Sequence, residues 1–129
     1  MNNDQYAQSL LVALLAAKRA GEVILEVYNS DFAVEHKDDN SPLTLADKRS
    51  HEIIVNGLKQ PIATNSNEYL LNNPSVPILS EEGKDIPYNG RKGWEYFWLV
   101  DPLDGTKEFI KRNGEFTVNI ALIHRDKPV

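Results

Sequence analysis

Cysteine is absent from the 129-residue chain, which excludes a disulfide framework and any thiolate metal site and fits a reducing compartment. Long apolar runs are absent too. The longest, Leu10 to Ala17, falls far short of the roughly 18 to 20 residues a spanning helix needs, and no basic segment precedes it. The chain is therefore expected in the cytoplasm, with peripheral association at the inner membrane left open. Excess positive charge is missing as well: 14 Lys and Arg stand against 19 Asp and Glu, a net charge of −5. Without a basic stripe to displace counterions, a nucleic-acid polymer is not an expected partner. The three histidines, His36, His51 and His124, show no ligand spacing and are taken as structural or surface residues. No repeat, low-complexity tract or linker interrupts the chain, and 41% hydrophobic with 26% charged residues suits one globular domain over residues 1–129.

What is present concentrates in Trp98-Leu99-Val100-Asp101-Pro102-Leu103-Asp104-Gly105-Thr106-Lys107-Glu108-Phe109. The apolar run Tyr96 to Val100 predicts a strand buried on both faces that ends at Asp101, because Pro102 cannot continue the ladder. Asp104 follows across a turn, and Gly105-Thr106 open a short helix whose free N–H groups face the same mouth. Two carboxylates beside an anion-binding helix end suit a divalent cation bridging a phosphate ester. Asp-Pro and Asp-Gly are each ordinary turn chemistry when taken alone. A second loaded stretch, Val76-Pro77-Ile78-Leu79-Ser80-Glu81-Glu82-Gly83, predicts a short strand ending in two acids, which a solvated loop would also explain.

Haloacid-dehalogenase-type phosphatases carry a superficially similar Asp-x-Asp-Gly-Thr string, but there the acids are two residues apart on one strand. The three-residue spacing here, with Pro102 inside it, suits neighbouring metal ligands better. Asp101-Pro102-Leu103-Asp104-Gly105-Thr106 resembles the signature of the inositol monophosphatase superfamily of metal-dependent, lithium-sensitive phosphatases. The run from Lys107 through Asn113-Gly114-Glu115-Phe116 to Leu122 is similar to its 3′(2′),5′-bisphosphate nucleotidase branch.

That resemblance implies an α+β fold: two N-terminal helices on a mostly antiparallel sheet, the first half of a layered α/β/α/β/α sandwich. It implies two or three Mg²⁺ held by Glu81, Asp101, Asp104 and the Leu103 carbonyl. Asp47 and Thr106 would orient the attacking water, and the Gly105 and Thr106 amides would cradle the phosphate beside Glu81, Leu103 and Asp104. The implied reaction removes the 3′-phosphate of 3′-phosphoadenosine 5′-phosphate, leaving AMP; inositol monophosphate or another sugar phosphate is the alternative substrate. The family's second half carries a further metal-ligating Asp in a Trp-Asp-x-Ala-Ala-Gly string, which does not occur here. A truncated chain is therefore expected, and the alternative of another class is an inactive fragment that binds cations and self-associates through uncovered sheet or core.

Along the chain, Tyr6, Leu10, Leu14, Leu15, Ile24, Leu25 and Tyr28 predict an amphipathic helix over Asp4–Tyr28, capped by Asn2, Asn3 or Asp4, with Lys18, Arg19, Glu22 and Glu26 on its wet side. Ala33–Lys37 predicts a strand, and the family likeness brings a lysine near Lys37 toward the active site. A second helix is expected from Ser41–Asp47 to about Leu58, with Thr44 and Asp47 as a capping box and Pro61 closing it. Ile62–Pro77 is expected as a surface connection with a helical turn at Glu68–Leu71 and room for an active-site flap. Phe116 to Ile123 predicts a strand with Phe116, Val118, Ile120 and Leu122 on one face, and Arg125–Pro128 a hairpin turn awaiting its partner strand.

Overall fold

A 26-residue helix, α1 (Asn3–Tyr28), opens the chain with a capping box. The Gln5 N–H donates to the Asn2 side chain at 2.9 Å and the Asn2 N–H to the Gln5 side chain at 2.8 Å. The structure is a computed structural model, and it describes residues 1–39, 42–59, 62–63, 69–70 and 76–129.

The buried face of α1 differs from the expected leucine stripe. Val12, Ala16, Ala20, Ile24 and Val27 are buried, whereas Leu10, Leu14, Leu15 and Leu25 are 45–61% exposed. The cause is the closeness of α2 (Leu45–Lys59): a Cβ at Gly57 would stand 3.1 Å from the Ala16 Cβ. A seam that tight admits small residues and turns the leucines outward.

Two short ladders flank α2. β1 (Val34–His36) pairs antiparallel with β2 (Pro42–Thr44), so the segment expected to begin the second helix is a strand, and α2 starts at Leu45. Pro42 has no N–H to give and takes the first strand position, where that loss is tolerated. Ser41 and Pro61 lie outside the described residues. β3 (Ile62–Ala63) pairs with β4 (Tyr69–Leu70), so extended backbone replaces the helical turn expected there; a cross-strand partner satisfies its polar groups. Glu68, Leu71 and most of the remaining Ile62–Pro77 connection lie outside the described residues.

The main sheet has the order β5-β6-β7-β8, from β5 (Ile78–Ser80), β6 (Tyr96–Asp104), β7 (Thr117–His124) and β8 (Lys127–Pro128). β5 runs parallel to β6, and the other neighbours are antiparallel, as expected for a mostly antiparallel sheet. α3 (Tyr88–Arg91) precedes β6, and α4 (Thr106–Ile110) joins β6 to β7. The final hairpin turns at Arg125-Asp126, Arg125 having φ 59°, and its return strand is β8 itself.

Period-two alternation fixes which face of the sheet meets the helices. Trp98, Val100 and Leu122 pack against Val12, Ala20, Ile54 and Leu58. Val118 and Ile120 flank that core on the predicted side of β7. β6 is not buried on both faces, however: Leu99, opposite Ala121, is 44% exposed, because no described layer covers that side. No helix among the described residues is long and apolar enough to cross a membrane.

Candidate metal centre

The β6 ladder continues through the motif where the sequence predicts it to stop. Asp101 pairs with Asn119 and Asp104 with Thr117, so Pro102 and Leu103 stand against Val118 alone and the strand carries a bulge at Pro102-Leu103. Proline fits because a bulge excuses one residue from the ladder. Both bulge residues are buried, and the Ser50 hydroxyl on α2 donates to the Pro102 carbonyl at 2.7 Å. Asp101 and Asp104 thus project from a pinned kink rather than a loose turn.

Gly105 then turns the chain into α4 with φ 94°, and a Cβ there would lie 2.7 Å from the Glu115 carbonyl oxygen. Gly105→Ala is expected to cost about 1–3 kcal/mol from the left-handed backbone and the clash, measurable by urea unfolding. No side chain caps the start of α4. The far side of α4 is anchored by Phe109, fully buried with its ring centroid 5.3 Å from Tyr28, 4.9 Å from Phe32 and 5.2 Å from Phe116.

Glu81 follows β5, and its N–H donates to the Val100 carbonyl at 3.1 Å, which sets it beside Asp101 at the end of the parallel pair. Burial, then the Glu81 charge and hydrogen bond, then the Asp104 charge push the Asp101 carboxyl up to about 6, against a smaller lowering by the Leu103 backbone. Asp101 Oδ1 is buried without a hydrogen-bond partner. Asp104 is exposed, with one oxygen 3.4 Å from Asn119 Nδ2.

Asp47 is the hub behind these carboxylates. It is 1% exposed and accepts from the Thr44 N–H at 2.8 Å, the Thr44 hydroxyl at 2.6 Å and the Thr106 hydroxyl at 2.7 Å. The first of these bonds is half of the expected capping box; the last is the Asp47–Thr106 pairing implied by the family likeness. The Thr106 hydroxyl also lies 3.4 Å from the Leu103 carbonyl, so that oxygen faces the same site.

Lys37 enters from beyond β1. Its ammonium donates to Glu82 at 2.6 Å and stands 3.9 Å from Glu81. Burial lowers its pKa, but the Glu82 hydrogen bond and the charges of Glu82, Glu81 and Asp47 outweigh that and hold it above its ordinary value. Lys37 thus pairs most closely with Glu82, whereas Glu81 stands 3.9 Å away with its side chain 58% exposed.

Ser50 is not singled out by the sequence, and His51 is expected from it to be a structural or surface histidine. His51 Nδ1 is hydrogen-bonded to Ser80 Oγ at 2.8 Å, and burial lowers its pKa against opposing pulls from Glu82 and Glu52. The available signal was spacing: Asp47, Ser50 and His51 stand at i, i+3 and i+4, one face of a helix.

Among the described residues, no three His, Asp or Glu side chains already stand close enough to hold an ion. The donor chemistry nevertheless fits a hard divalent cation. An orphaned buried carboxylate oxygen on Asp101, and the crowding by Glu81 and Asp104 that raises the Asp101 pKa, are conditions such a cation relieves. A cavity of about 850 Å³ adjoins them on the uncovered sheet face, lined by Glu81, Asp101, Leu79, Leu99, Asn119 and Ala121 among others.

The inositol monophosphatase family model matches residues 5–129. The chain belongs to that family. It is 49% identical over 116 residues to the 3′(2′),5′-bisphosphate nucleotidase CysQ of Salmonella typhimurium, with 88% of this chain and 42% of the relative covered. The crystal structure of CysQ from Bacteroides thetaiotaomicron is 48% identical with a TM-score of 0.69, over 95% of this chain and 40% of that one. The extragenic suppressor protein suhB from Bartonella henselae is 29% identical with a TM-score of 0.73, over 95% of this chain and 42% of that one. These likenesses agree with the α+β architecture. The chain spans about 42% of the length of the curated relatives it matches.

Proposed function

We propose that this chain carries the metal and phosphate machinery of a divalent-metal-dependent phosphomonoester hydrolase acting on the 3′-phosphate of 3′-phosphoadenosine 5′-phosphate. The observation that carries the reading is the orphaned Asp101 Oδ1 inside a carboxylate group that the Asp47–Thr106 hydrogen bond adjoins. Glu81, Asp101, Asp104 and the Leu103 carbonyl would hold Mg²⁺, two or three ions in all. When bound, the ions screen the phosphate's charge and lower the pKa of water.

The chain's own residues supply orientation. Asp47 takes the Thr106 hydroxyl hydrogen, which leaves the Thr106 oxygen turned out as an acceptor for one water proton. Water held that way presents a lone pair to the phosphorus for in-line attack. The uncapped N–H groups at Gly105 and Thr106 offer donors to phosphate oxygens. No protein nucleophile is required. The choice of a nucleotide over an inositol phosphate is supported by the 49% identity to the CysQ nucleotidase of Salmonella typhimurium against 27% to the inositol monophosphatase from Anabaena.

Phosphate release from 3′-phosphoadenosine 5′-phosphate, measured with Mg²⁺, with EDTA and with Li⁺, tests the reading. Release that needs Mg²⁺, falls with Li⁺ and exceeds release from inositol monophosphate is expected. Equal turnover of both substrates would overturn the nucleotide assignment, and release indifferent to EDTA would overturn the metal. Binding without turnover is the second reading, and absence of release together with cation binding would establish it.

A further inference from the structure

The site is assembled from the β5 end with Glu81, the β6 bulge with Asp101 and Asp104, and the α4 start with Thr106, which follows the bulge directly along the chain. One face of α2 touches all three. Asp47 holds Thr106 at 2.7 Å, Ser50 holds the Pro102 carbonyl at 2.7 Å, and His51 holds Ser80 at 2.8 Å, next to Glu81. Beyond them on α2, Ile54 and Leu58 are buried in the core. The template is therefore fixed to the body of the fold.

We infer that Ser50 and His51 are positioning residues that set the spacing between Glu81 and the Asp101/Asp104 bulge, and so set cation affinity. The inference rests on the metal-centre reading above. Ser50 is fully buried, and its target, the Pro102 carbonyl, lies in the bulge, where regular ladder pairing is interrupted. His51 packs against the Glu81–Gly83 turn as well as bonding Ser80: a Cβ at Gly83 would stand 3.5 Å from His51 Cε1, and the Gly83 N–H donates to the Ser80 carbonyl at 3.0 Å. The ring thus fixes both the residue before Glu81 and the turn after it. Hydrogen-bond partners behind metal ligands commonly govern affinity in this way.

Mn²⁺ titration of the full 129-residue chain, read by electron paramagnetic resonance, tests the inference. His51→Ala and Ser50→Ala are each expected to weaken Mn²⁺ binding about tenfold. His51→Asn, whose amide lies near the Nδ1 position, should bind like the unchanged chain. His51→Gln, whose amide lies near the Nε2 position, should bind like His51→Ala and serves if the alanine variant fails to fold. In a Glu81→Gln background, His51→Ala should cost nothing further, because its effect passes through Glu81. Unchanged affinity in the Ser50 and His51 variants, or a full tenfold loss retained in the Glu81→Gln background, would overturn the positioning roles while leaving the metal centre in place. Absence of Mn²⁺ binding by the unchanged chain would overturn the metal-centre reading and this inference with it.

Discussion

Replacing Asp47 by alanine is expected to destabilise the chain by about 3–5 kcal/mol, because three donors converge on one nearly buried carboxylate. Thr44 is 1% exposed, so its N–H and hydroxyl would have no water to turn to. In a domain of this size the loss corresponds to a melting temperature lower by about 10 °C or more. Asp47→Asn keeps the shape and one acceptor oxygen and should lose roughly half as much. Calorimetry of the three proteins decides the matter. A loss under about 1 kcal/mol for the alanine variant would show that Asp47 does not knit β2, α2 and α4 together.

Asp101→Asn is expected to act in opposite directions on stability and on metal binding. In the folded chain the Asp101 carboxyl is pushed up to about 6 from an ordinary value of 3.8, so the folded state holds this proton more tightly than the unfolded state. The resulting stability is fully present below pH 3.8 and is lost as pH rises through about 6. At pH 7 without metal the asparagine variant should therefore melt above the unchanged chain, and the gap should close as the pH falls to 4. Divalent cation reverses the order. The unchanged chain gains stability with Mn²⁺ concentration, while the variant, lacking a ligand, should bind at least about a hundredfold more weakly and gain little. Melting curves at two pH values, with and without Mn²⁺, check all four arms. A variant that is less stable than the unchanged chain at pH 7 in EDTA would contradict the crowding of Asp101 by Glu81 and Asp104.

The motif-bearing parts of the site were legible because their chemistry is local. Asp101-Pro102-Leu103-Asp104-Gly105-Thr106 announces acids at a kink before a helix, and Thr44 with Asp47 announces a helix start. What stayed hidden depends on partners far along the chain. Pro102 predicts the end of a ladder, yet β7 supplies a register in which proline is carried as a bulge. The leucines of α1 outrank its alanines in hydrophobicity, but Gly57 brings α2 so near that Ala16 and Ala20 form the seam. Two adjacent glutamates look alike in sequence, and only Lys37, 45 residues away from Glu82, tells them apart, at 2.6 Å from Glu82 and 3.9 Å from Glu81. Ser50 and His51 carry no motif at all; their meaning comes from the two strands that α2 crosses.

The account turns on where a divalent cation settles, and paramagnetic broadening locates it most directly. Sub-stoichiometric Mn²⁺ added to ¹⁵N-labelled chain should first erase the amide signals of Glu81, Asp101 and Leu103–Thr106, with those of Ser80 and Asn119 close behind. Broadening that begins at other acidic surface residues such as Asp31, or spreads evenly over the chain, would contradict a metal centre at the β5–β6 end.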